Sequence, residues 1–289
     1  MCPQKDCQSQ STIKKGAFYR SCDQKRVQRF KCQSCGRNFS SATTSLRFRQ
    51  QKRRVNTSIL KDLAAGVSMR ECGRANKVSR ELVKRRLHYY ARMFEVEQAR
   101  LLARLKKAGV LEIQIDDLIT FEHSKLKPLT VSVLVDSKRR VLLGFKVGKI
   151  PAFGLLAKRS RKKYGYRKSE HPHCLEHIMK VAHAVCAENV IVKSDMHKRY
   201  PEVIKKFLPK SEHIQYRGAK GCVVGQGELK NKEFDPLFSV NHLLATMRAR
   251  VSRLVRKTWN TTKESMMLED HLKLFALEFN RRRVSALSL

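Results

Sequence analysis

Four cysteines near the start of the chain and two aspartates far downstream have the types and spacing to hold metal ions. Cys2 and Cys7 bracket CPQKDC, and Cys32 and Cys35 bracket CQSC. Two tight thiolate knuckles separated by a short excursion form the pattern that closes a tetrahedral Zn2+ site. Gly36 lets the chain turn after the second knuckle. A redox role for Cys32 and Cys35 is disfavoured, because no βαβ pattern surrounds them. Further on, VLEIQIDD alternates apolar and polar residues, setting Glu112, Gln114 and Asp116 on one strand face and Leu111, Ile113 and Ile115 on the other. The apolar run Val190 to Val192 delivers Asp195 just beyond its end. Two carboxylates at strand ends, a hairpin and a helix apart, are a layout for hard divalent cations. A pair of Mg2+ or Mn2+ ions held this way can activate the attacking oxygen and stabilise the leaving one in phosphodiester chemistry. Either aspartate alone reads as an ordinary turn residue. Asp117 could replace Asp116, but alternation favours Asp116, since a one-residue slip reverses the face.

The elements that must position these groups follow from periodicity. Between the knuckles, GAFYR and VQRFKC alternate as short hairpin strands, so residues 1–40 read as a zinc ribbon. Residues 41–54 read as a basic linker and residues 55–109 as a helix-turn-helix. In the latter, one helix runs over Ile59, Leu60 and Leu63 to Gly66, a second follows Ser68, and a third is capped by Ser79. That third helix carries Arg80, Lys84, Arg85 and Arg86, expected to face outward toward a DNA groove. The helical pattern extends to a C-cap at Gly109. Residues 110–289 read as an α/β domain: three sequential antiparallel strands, an irregular basic stretch over 157–173, a helix from about Cys174 to Ala187, and a further strand. After it, Leu244, Met247, Val251 and Leu254 repeat at helical spacing. Arg248, Arg253, Arg256 and Lys257 lie off that stripe and are candidates to grip DNA phosphates. A last helix spans about Met266 to Arg283.

Composition supplies the partner. The chain of 289 residues has 62 Lys+Arg against 25 Asp+Glu, a net charge of +37. The excess runs through the whole chain and is not a tail. Such a field attracts polyanions, and nucleic acid is the obvious one. No long apolar stretch or secretory leader is visible, so no membrane association is expected. An odd count of nine cysteines without an export signal points to a reducing, cytoplasmic setting.

The order of ribbon, helix-turn-helix and aspartate-bearing strands resembles bacterial insertion-sequence transposases with an RNase H-like catalytic core, a mixed sheet flanked by helices. CPQKDC, FKCQSCGRNFS, IDDLITFEHSKLKPL, VKSDMHKRYP and FDPLFSVNHLLATMRARVSRLVRKTW carry the resemblance, which covers essentially the whole chain. It implies metal-dependent cleavage and strand transfer at the ends of an insertion sequence. Double-stranded DNA would be the partner, as element ends and target, with a homodimer or larger assembly on it and a nucleoid-associated location. It also implies a third ligand on a helix after the last strand. This sequence carries Asn241 there instead of a glutamate, as some ribbon-bearing groups do, with Glu228 as the alternative. The missing acid leaves a second reading open, a DNA-binding protein without catalysis, either a regulator or a decayed transposase. A nuclease that cuts without joining is a third.

Overall fold

The computed structural model describes residues 1–217, 235–255 and 260–284. They fall into two compact units, Met1–Leu63 with Met69–Met93, and Phe94–Leu289 with Ala64–Ser68.

In the first unit, β1 (Thr12–Arg20), β2 (Lys25–Cys32) and β3 (Asn38–Ser40) form an antiparallel sheet in that order. Its interior is sparse. Cys2, Val27 and Cys32 are buried, and the Phe30 and Phe39 rings stack with centroids 5.5 Å apart. So little buried apolar surface cannot hold three strands without another tether. Three helices follow: α1 (Asn56–Ala64), α2 (Met69–Ala75) and α3 (Arg80–Ala108). Ser79 Oγ accepts the Leu82 N–H at 3.2 Å and starts α3. Ile59, Leu63, Cys72, Val83, Leu87 and Tyr90 are buried. Gly109, at φ 68°, ends α3 in the left-handed region.

One expectation is corrected here. Arg86 does not face outward: it is 5% exposed. Its Nε donates to Asn56 Oδ1 at 2.6 Å, and its guanidinium also donates to the Gln51 carbonyl. Helical spacing explains the error, because Arg86 shares its face with Val83, Leu87 and Tyr90 rather than with Arg85. Arg86→Ala is therefore expected to destabilise the chain by roughly 2–4 kcal/mol, since it strands buried partners. Urea denaturation measures this, with Arg85→Ala, an exposed neighbour, shifting stability by less than about 0.5 kcal/mol.

The second unit is built on a mixed sheet of β4 (Val110–Phe121), β5 (Pro128–Asp136), β6 (Val141–Lys149), β7 (Cys186–Asp195) and β8 (Glu212–Tyr216), ordered β6-β5-β4-β7-β8. The β4–β5 and β5–β6 pairs are antiparallel; β4–β7 and β7–β8 are parallel. The parallel crossing is made by α5 (His171–Val185), and α6 (Tyr200–Phe207) links β7 to β8. On one face Ile113 and Ile115 pack with Leu175, Ile178, Tyr200 and Ile204. Helix α7 (Phe238–Arg250) covers the other face, where Gln114 Oε1 accepts the Val240 N–H at 2.9 Å and Gln114 Nε2 donates to the Pro236 carbonyl. Helix α8 (Ser265–Val284) packs along β6, with Asn280 bridging Leu142 and Gln98.

Two elements differ from the sequence expectation. Helix α4 (Leu156–Tyr164) occupies the start of the stretch over 157–173 read as irregular; it has no apolar stripe to announce it, and only Ser160 is buried. Strand β8, EHIQY, is too short and too polar to stand out. Among the described residues, no helix is long and apolar enough to cross a membrane.

Candidate metal centre and carboxylate cleft

The thiol cluster is assembled across the β1–β2 hairpin. Cys2 and Cys7 lie in the loop before β1, Cys32 ends β2, and Cys35 sits in the following turn, closed by Gly36 at φ 69°. Sulfur separations are 3.7 Å for Cys2–Cys35 and for Cys7–Cys32, and all four ligand atoms lie within 4.8 Å of one another. The backbone N–H groups of Cys35 and Ser34 point at the Cys32 sulfur and pull its pKa down to about 6 against the cost of burial. Four sulfurs at this spacing could hold one metal ion. Cys22 is exposed and outside the cluster.

The carboxylate pair is assembled by sheet register. Ile115 pairs with Ser194 on the parallel β4–β7 ladder, so Asp116 and Asp195 are the next residues along adjacent strands and share a face. Both line a cleft of about 460 Å³ with Asp117, His171, His197 and Tyr200. Asp116 Oδ1 accepts the Asp117 N–H at 2.7 Å, and Asp195 Oδ1 accepts the His197 N–H at 3.0 Å, which fixes both carboxylates. Burial pushes the Asp116 carboxyl up to about 7. The negative charges of Asp195 and Asp117 add to that shift, while the Asp117 N–H and Arg248 oppose it. A nearby positive charge would favour the ionised form of such a half-buried carboxylate.

Asp117 is different. It points to the opposite face, where Oδ2 accepts from Tyr200 at 2.8 Å and pairs with His171 Nε2 at 2.7 Å. Its Oδ1 accepts from Thr130 at 3.0 Å and from Ser132. Burial alone would raise its pKa, but His171, Ser132 and Tyr200 together outweigh burial and hold it below the usual carboxylate value. With its lone pairs spoken for, Asp117 braces β4, β5, α5 and α6. Asp117→Asn is expected to cost roughly 2–4 kcal/mol at neutral pH, measured by urea denaturation. Because the folded pKa is depressed, this contribution is present above the unfolded value near 3.8 and fades as pH falls through the folded one. The variant should therefore converge on the parent protein in acid.

No family model and no curated protein matches the chain. Among solved structures, it is distantly similar to the piggyBac transposase synaptic complex with hairpin DNA. The identity is 9% and the TM-score 0.36, over 86% of this chain and 70% of that one.

The remaining sequence candidates are scattered. Asn241 lies in the first turn of α7, where its Nδ2 donates to Asp235 Oδ2 at 2.9 Å; it is not among the residues lining the cleft. Only its carbonyl oxygen remains to offer a cation. Glu228, Arg256 and Lys257 lie outside the described residues. Arg248 is half-buried and close enough to Asp116 to lower its pKa. Arg253 donates to the Thr261 carbonyl at 3.3 Å. In the first unit, Arg80 and Arg85 are exposed and Lys84 is half-buried. Arg80 helps line a groove with Lys52, Arg70, Arg74 and Lys77, five cations around the start of α3. Sequence reasoning gave no role to His171 and Tyr200. Nothing local marks them, since each meets Asp117 across more than fifty residues of chain.

Proposed function

We propose that this chain is a DNA transposase of the RNase H-like class, cutting phosphodiester bonds at the ends of a mobile element and joining them to target DNA. The observation that carries this reading is the placement of Asp116 and Asp195 side by side on adjacent parallel strands, in a cleft of a strongly basic protein. Asp116 and Asp195 would hold two Mg2+ or Mn2+ ions, with the Asn241 carbonyl oxygen or Glu228 completing the set. The ions would supply activation of the attacking oxygen and charge neutralisation at the phosphate. The protein's share is orientation. The Asp117 and His197 amides fix one oxygen of each carboxylate, and Arg248 adds positive charge beside them.

The four-cysteine cluster is assigned to one structural Zn2+. Tetrahedral Zn–S bonds near 2.3 Å give sulfur–sulfur edges of about 3.8 Å, which matches the spacing of the two closest pairs. The ribbon (1–40) and the helix-turn-helix (55–109), joined by the linker 41–54, would recognise element ends. Arg80, Lys84 and Arg85 would contact DNA on α3, and Arg253, Arg256 and Lys257 would do so beside the catalytic domain (110–289). Joining two ends requires at least a dimer on DNA.

Incubating the full chain with supercoiled plasmid and Mn2+ tests the assignment: nicked circles should form with Mn2+ and not with EDTA. Strand transfer of a labelled end into target plasmid separates a transposase from a nuclease that only cuts. The place of Asn241 outside the cleft lining favours a second reading, a DNA-binding protein without catalysis, which would bind DNA and leave the plasmid intact.

A further inference from the structure

The segment between β6 and α5 carries features that holding two cations does not explain. From Ser137 to Ser169 the sequence has no acidic residue. Within it, α4 exposes Lys158, Arg159, Arg161, Lys162 and Lys163, and among the described residues none of the five makes an ion pair. Like charges at this spacing repel, and the helix is anchored by little beyond Ser160, whose Oγ donates to the Leu126 carbonyl at 2.7 Å. Such a helix is relieved by a polyanion. The same segment presents aromatic faces to solvent: Phe153 is 65% exposed and Tyr166 is 79% exposed. Phe153 stands on the wall of the carboxylate cleft, beside Pro151 and Ala152. Tyr166 stands in an adjoining hollow of about 240 Å³ that shares Pro151 and Ala152 and is bordered by Lys158, Arg161 and Arg167. Gly154 at φ 60° and Gly165 at φ 72° make the turns at either end of α4, with open space where a side chain would be.

We propose that residues 150–168 form a binding site for unpaired DNA: bases stack on Phe153 and Tyr166 while α4 grips the phosphates of the strand leaving the cleft. The choice of an unpaired strand follows from chemistry. In a duplex the base faces are covered by their neighbours, so an exposed aromatic on a basic track gains from stacking only where bases are free. The inference rests on the reading of the cleft as a DNA-cutting site, and it places the strand's path beside that site.

The test uses the full chain, fluorescein-labelled dT20 and a labelled 20-base-pair duplex, with anisotropy read without added Mg2+ or Mn2+ at several salt concentrations. Phe153→Ala and Tyr166→Ala should each weaken dT20 binding about 5- to 150-fold, the range for loss of one stacked base, and change duplex binding by less than about twofold. Phe153→Trp should restore dT20 binding. Replacing Arg161, Lys162 and Lys163 together by glutamine should flatten the dependence of log K on log salt by about 2 for dT20, near 0.7 per phosphate contact. Unchanged dT20 binding by the Phe153→Ala/Tyr166→Ala double variant overturns the proposal, as does an equal loss on dT20 and duplex. Because the assay contains no added Mg2+ or Mn2+, it is independent of cutting. If Asp195→Asn nicks plasmid as well as the parent, the cutting assignment fails while the binding result stands. If the aromatic variants bind dT20 normally and Asp195→Asn is inactive, only this site is lost.

Discussion

Asp116→Asn and Asp195→Asn should each lower Mn2+-dependent plasmid nicking by about 10³-fold or more. A ligand to the catalytic cations supports several kcal/mol of charge stabilisation in the transition state, and each 1.4 kcal/mol is a factor of ten. Activity loss alone does not separate a ligand from a structural residue, but stability without metal does. The folded pKa of Asp116, about 7, lies above its unfolded value near 3.8. Folding therefore favours the protonated form, and the metal-free protein should lose stability as pH rises from about 4 to about 7. At pH 8, removing that charge by Asp116→Asn should stabilise the protein kept free of Mg2+ and Mn2+, with about 4 kcal/mol as the ceiling. The neighbouring Asp117→Asn should destabilise it instead. Mn2+ should reverse the order, raising the melting temperature of the parent protein and leaving that of Asp116→Asn unmoved. An Asp195→Asn protein that nicks at the parental rate, or an Asp116→Asn protein that unfolds more readily without metal, would remove Asp116 and Asp195 from the catalytic role.

What the sequence discloses and what it hides divide along the range of the forces involved. Gly66, Ser79 and Gly109 punctuate the helices locally, so α1, α2 and α3 have nearly the boundaries their caps imply. The alternation in VLEIQIDD places Ile113 and Ile115 on the face toward α5 and Gln114 on the face toward α7; both faces are buried, and the period-two pattern separates an apolar contact from a hydrogen-bonded one. The knuckle spacing is legible because each cysteine pair sits on its own short turn, although the two turns meet only across the β1–β2 hairpin. Arg86 shows the limit of that reading. An arginine on a basic helix looks solvent-facing until Asn56 and the Gln51 carbonyl meet it from a segment thirty residues earlier. The brace around Asp117 is hidden for the same reason: Thr130, Ser132, His171 and Tyr200 converge only once β4, β5, α5 and α6 are packed. Helix α4 escaped notice because charge, not apolar periodicity, fills it.

Removing the metal from the cysteine cluster should have the largest effect on the first unit. With Cys2, Val27 and Cys32 as its buried residues, the β1–β3 sheet has no apolar core to fall back on. Structural Zn2+ contributes on the order of 10–16 kcal/mol of apparent binding free energy in small zinc-dependent folds, far more than such a core could supply. Purified protein is expected to hold one zinc per chain by atomic emission. Cys32→Ser, or treatment with a strong chelator, should abolish it, whereas Cys22→Ser should not, since Cys22 lies outside the cluster. Hydrogen exchange should then show β1, β2 and β3 losing protection together. The three helices should keep part of theirs, since Ile59, Leu63, Val83 and Leu87 form a core of their own. Arg53, just ahead of α1, pairs with Asp23 at 3.1 Å in the turn between β1 and β2. A single partly buried ion pair of this kind contributes on the order of 1 kcal/mol and cannot hold the strands in place of a metal. Full protection of β1–β3 in a zinc-free Cys32→Ser protein would mean that the four thiols meet without a metal to bind them, and the ribbon would have to be explained by its strands alone.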